Sequence, residues 1–128
     1  MARRRIPAQD GQSALRAVAG AHPSTAELAT AVRFSLEELA DRAPGNSVEV
    51  RIPPYGVAQC VEGPRHTRGT PANVVETDAT TWLELITGSL DWSAAVATGR
   101  VSASGQRADL STVLPLFPPP ASGPGRRP

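Results

Sequence analysis

Between residues 22 and 44 the apolar positions recur with a helical period. Leu28, Val32, Leu36 and Leu39 fall on one face, with Ser35 beside them. Arg33, Glu37, Glu38 and Asp41 lie mostly on the opposite face. Ser24, with Glu27 three residues on, is a capping-box pattern at the start, and Pro44-Gly45 is a stop. The period then drops to two. Val48, Val50 and Ile52 alternate with Ser47, Glu49 and Arg51, which predicts a half-buried strand ended by Pro53-Pro54. Residues 57–61 predict a second strand, with Val57, Gln59 and Val61 on one face and Ala58 and Cys60 on the other. Residues 62–72 are a polar loop holding two Pro and two Gly, and residues 73–77 predict a third strand.

The helical period returns at Asp78, a cap for a helix whose Trp82, Leu85 and Ile86 share a face and which stops at Gly88. Asp91 caps a short helix carrying Trp92, Ala95 and Val96, closed by Gly99. Residues 101–104 predict a fourth strand. Gly105 leads into a last helical turn with Leu110, Val113 and Leu114, broken at Pro115. A short helix over 10–20, with Leu15 and Val18 inward, precedes all of this. The order is helix, three strands, two helices, strand, helical turn. It implies an α+β fold in which helices cover one face of a mainly antiparallel sheet.

Composition narrows the class. With 128 residues the chain holds one domain and its tails, and its core is modest. Residues 1–20 form a basic N-terminal tail, with four Arg against one Asp, and carry the short helix. Residues 118–128 are Pro- and Gly-rich with two Arg, and are expected to be disordered. The body, 21–117, has seven Arg against eleven acids, a net charge of −4. A mildly acidic body argues against a nucleic-acid-binding face, since duplex affinity comes mainly from neutralising phosphates. The Arg-bearing tails leave room for a transient contact with an anionic membrane surface.

Thirteen Arg and no Lys read as the coding bias of a GC-rich bacterium. No stretch approaches the roughly 18 apolar residues of a membrane span. No apolar segment follows the basic N-terminus, so a secretory signal is not expected. Cys60 is the single cysteine, which gives neither a disulfide nor a thiolate metal site. The expectation is a cytoplasmic protein without cofactor or metal.

The run 78–117 resembles the sterol carrier protein (type 2-like) family. The features are an acidic cap before an apolar helix (Asp78, Trp82, Leu83, Leu85, Ile86), then TGSLDW at 87–92, then AVATGRVSASG at 95–105, then an apolar end segment from Leu110 to Phe117. The run PPYGVAQCVEGPRHTRGTPANVVETD at 53–78 is similar to the small actinobacterial members. The resemblance covers about residues 25–117. It implies a sheet of about five strands, helices on one side, and an apolar cavity between them. It also implies a non-catalytic lipid-binding carrier for a fatty acid, an acyl thioester or a phospholipid-type ligand.

On that reading Trp82, Leu85, Ile86, Trp92 and Val96 line the cavity, and Leu110, Leu114 and Phe117 close its mouth. The same residues also read as ordinary core and a docked C-terminal segment. Arg65, His66 and Arg68 are the sharpest polar cluster. Guanidinium groups suit carboxylate or phosphate, so the cluster would contact a lipid head group, or would simply pin its own loop. Two other classes stay open. One is a small enzyme, or a subunit of one, acting on an anionic substrate through Arg65, His66 and Arg68, with Cys60 and His66 as a remote nucleophile–base pair. The other is a closed-core interaction protein with no ligand.

Overall fold

The computed structural model describes residues 5–63 and 73–118. Helix α1 spans Ala8–Val18 and helix α2 spans Thr25–Arg42. Strands β1 (Val48–Ile52) and β2 (Gly56–Cys60) follow, then β3 (Val74–Thr77). Helices α3 (Ala79–Thr87) and α4 (Trp92–Ala97) lead into β4 (Val101–Ser104). Residues 105–118 form turns and bends. Within them the N–H groups of Val113 and Leu114 both donate to the carbonyl of Leu110, a single turn and no helix.

The caps act as their side chains dictate. Ser24 Oγ accepts from the Glu27 N–H at 3.0 Å, and Glu27 Oε1 accepts from the Ser24 N–H at 2.8 Å. This reciprocal pair satisfies two of the orphan donors at the start of α2. Asp78 accepts from the Thr81 N–H at 2.8 Å and fixes the start of α3. Gly88 ends α3 at φ +88°, a conformation that costs other residues a Cβ clash.

Among the described residues the sheet has four strands in the order β2-β1-β3-β4 and is mixed. This corrects the expectation of about five mainly antiparallel strands. β1 and β2 form an antiparallel hairpin with Val48 opposite Cys60. β3 lies on the other side of β1 and runs parallel to it, and β4 returns antiparallel to β3. The parallel pair has a simple cause. β2 ends level with the start of β1, and the chain re-enters the sheet at that same end. Asn73 is the peg there: its side-chain amide donates to the Ser47 carbonyl at 2.8 Å. Its Oδ1 accepts from the Arg107 N–H at 2.9 Å, and its carbonyl accepts from the Glu49 N–H. One buried amide thus ties the starts of β1 and β3 to the chain beyond β4.

The two faces of the sheet differ in chemistry. Val48, Val50, Ile52, Cys60, Val75 and Val101 are buried and belong to one core cluster with the inner residues of the helices. Glu49, Arg51, Gln59, Glu76 and Ser102 alternate with them and stay exposed or half-buried on the other face. Helices therefore cover one face, and an ion pair of Arg51 with Glu49 and with Glu76 decorates the other.

Helix α1 is joined to α2 by shape. Gly11 lies against the ring of Phe34 so closely that a Cβ there would sit 2.3 Å from ring carbons. Before α1, the Ile6 N–H donates to Glu37 at 2.9 Å, and Arg5 pairs with Glu37 and Asp41. The other end of the described chain meets the same aromatic. Phe117 stacks on Phe34 with centroids 5.8 Å apart, and the Arg42 guanidinium lies 5.3 Å over the Phe117 ring.

Candidate functional site

Large apolar side chains pack between the sheet and the helices. Trp82, Ile86 and Leu110 are fully buried, as are Val50 and Val75 on the sheet, and Leu85 is buried beside them. The indole N–H of Trp82 donates to Ser35 Oγ at 2.7 Å, and the Ser35 hydroxyl donates to the Val32 carbonyl at 2.6 Å. Of the other residues singled out from the sequence, Trp92 is nearly buried, Leu114 and Phe117 are half-buried, and Val96 is 39 % exposed. Leu85, Trp92 and Leu114 do come together. With Leu90 and Pro115 they form a small concavity of about 190 Å3. Arg65, His66 and Arg68 lie outside the described residues.

A larger concavity lies on the helical side. It holds about 490 Å3 between α1, the start of α2 and α3. That is within the range of small-molecule sites. Leu15 and Val18 of α1, with Ala19, Pro23 and Leu28, make its apolar wall. Leu83 continues that surface on α3. The remaining α3 side is polar, with Thr80, Glu84 and Thr87 at helical spacing and Ser89 just past the cap. The sequence placed Leu15 and Val18 on an inward face and Leu28 and Leu83 in apolar helices. It gave no sign that these four share a groove, because the docking of α1 depends on Gly11 fitting Phe34.

A third concavity, of about 420 Å3, lies between α2 and the edge strand β2, where Arg33, Leu36 and Glu37 face Gly56 and Ala58. Arg33 is already committed there, donating to the Tyr55 carbonyl at 2.9 Å. Cys60 sits on the inward face of β2 and is fully buried; burial pushes its thiol up to about 11, so it supplies no thiolate near neutral pH. Among the described residues no group of three or more His, Cys, Asp or Glu is placed to hold a metal ion. No helix among them is long and apolar enough to cross a membrane.

The chain matches no curated protein. It does match a family profile described as "Bacterial SCP ortholog" over residues 24–116, from the capping serine of α2 to the segment that docks beside Arg42. α1 and its contribution to the 490 Å3 groove lie before the matched region. A match over most of the chain, on an α+β sheet covered by helices on one face, settles the membership: the chain belongs to the bacterial sterol carrier protein-like family.

Proposed function

We propose that this protein is a non-catalytic lipid carrier that takes an acyl-type apolar ligand in the groove between α1 and α3. Family membership supports a lipid-binding role at a coarse level. The observation that carries the finer reading is the groove's apolar wall of Leu15, Val18, Leu28 and Leu83. Covering apolar surface of ligand and wall together releases about 25 cal/mol per Å2, which is enough to hold an alkyl chain without covalent chemistry. The ligand enters from solvent or from a membrane surface, lies along α1 and leaves by the same open side. Uptake and release then need no rearrangement of the packed core around Trp82.

The test is native mass spectrometry of the freshly purified full chain, with extraction of any adduct. An acyl lipid at near-unit stoichiometry, lost in Val18→Glu while the fold is retained, is the expected result. A clean unliganded mass with no uptake of added long-chain alcohol, fatty acid or acyl thioester would overturn the reading.

A further inference from the structure

The polar side of the same groove carries information about the head group, an inference that rests on the carrier reading. Glu84 is the one charged side chain among the groove's described lining residues. Its Oε1 is engaged by Arg100 at 2.9 Å, and Arg100 also donates to Thr81 Oγ1 at 3.1 Å. Glu84 Oε2 has no hydrogen-bond partner among the described residues. The neighbouring hydroxyls have spent their protons on the backbone. Thr87 donates to the Leu83 carbonyl at 2.8 Å and Ser89 to the Glu84 carbonyl at 3.4 Å. What these three groups offer a ligand is lone pairs. Among the described residues no Arg or His lines the groove to meet an anion, and Arg100 is committed to Glu84 and Thr81.

We infer that the groove selects an amphiphile whose polar end donates hydrogen bonds and carries no negative charge, such as a long-chain alcohol or amide. Glu84 is the specificity-determining residue, and it discriminates against a free carboxylate. A hydroxyl or amide proton finds Glu84 Oε2, Thr87 Oγ1 or Ser89 Oγ as acceptor. Against Glu84, Thr87 and Ser89 a carboxylate head brings only acceptors, beside a like charge, and of the lining side chains only the Thr80 hydroxyl is left to donate to it. With Arg100 in place, removing the Glu84 charge changes the interaction with a carboxylate at roughly 4 Å by about fivefold in affinity under water-like screening.

The experiment is displacement of an uncharged solvatochromic dye, Nile red, from the full chain by 1-dodecanol and by dodecanoate at pH 8, below their aggregation limits. The quantity read is the ratio of the two affinities, which cancels the shared alkyl chain. In Glu84→Gln the preference for the alcohol falls about fivefold relative to the wild type. In Arg100→Gln, where the Glu84 charge stands uncompensated, the preference rises. A ratio unchanged in Glu84→Gln, or moving the same way in both variants, overturns the inference and leaves the carrier reading standing. Failure of both ligands to displace the dye from the wild type overturns the carrier reading itself.

Discussion

Trp82 and Ser35 are 47 positions apart, yet the indole N–H of one rests 2.7 Å from the hydroxyl oxygen of the other, and both side chains are fully buried. The bond joins α3 to α2 across the core and leaves neither polar atom unpaired. Ser35→Ala removes the acceptor and strands the indole N–H in apolar surroundings. The expected cost is about 1–3 kcal/mol, the penalty of an unsatisfied buried donor. Urea unfolding followed by tryptophan fluorescence measures it, and a change below about 0.5 kcal/mol would mean the pair is incidental.

Gly11 and Phe34 predict how the two ends of the chain are coupled. Gly11→Val puts side-chain carbons where the Phe34 ring lies, and Phe34 in turn supports Phe117. The expected destabilisation is about 1–3 kcal/mol, typical of overpacking. Amide hydrogen exchange should speed up in α1 and also near residues 114–117. Faster exchange confined to α1 would break the proposed coupling.

Asp78 is a cap that the sequence already declared. Its carboxylate accepts from both the N–H and the hydroxyl of Thr81. Asp78→Ala should lower stability by about 1 kcal/mol, read from a shift of the denaturation midpoint without a change of slope.

Cys60 gives the fold an alkaline limit. Its thiol rises from an ordinary 9.0 to about 11 because burial disfavours the thiolate. The unfolded chain therefore loses this proton first. Stability from this group is complete below pH 9 and is lost as the pH climbs from about 9 to about 11, up to roughly 2–3 kcal/mol. Comparing wild type with Cys60→Ala over that range isolates the effect. The wild-type denaturation midpoint should fall more steeply with pH, and parallel curves would refute it.

Much of the fold was legible because local signals and tertiary packing agree. The Ser24–Glu27 box, the Asp78 and Asp91 caps and the glycines at 88 and 99 mark α2, α3 and α4 by backbone chemistry alone. The alternation of Val48, Val50 and Ile52 fixed which face of β1 is inward. Partner choice was not legible. Period-two patterning assigns a face and says nothing about a neighbour, so the parallel β1–β3 pair had no sequence signal. Asn73, read from the sequence only as the first residue of the third strand, ties that pair with its amide, which reaches Ser47 and Arg107.

The candidate site was legible only in parts. Leu15 and Val18 read correctly as an apolar face, but what they face depends on a glycine meeting an aromatic in another helix. Trp82, Leu85 and Ile86 read as cavity wall or as core, since both are apolar, and burial fits either. Glu84 drew no notice, because a glutamate on a helix is ordinarily a solvated surface charge.

The claim that α1 and α3 frame the lipid site is tested most directly by comparing Nile red affinity in the wild type, Val18→Glu and Val96→Glu. Val18 lines the groove, whereas Val96 is an exposed residue of α4 that lies away from it. The account predicts at least about tenfold weaker binding in Val18→Glu, unchanged binding in Val96→Glu, and closely matched thermal stability for all three. Equal binding in all three, or loss only in Val96→Glu, would contradict it.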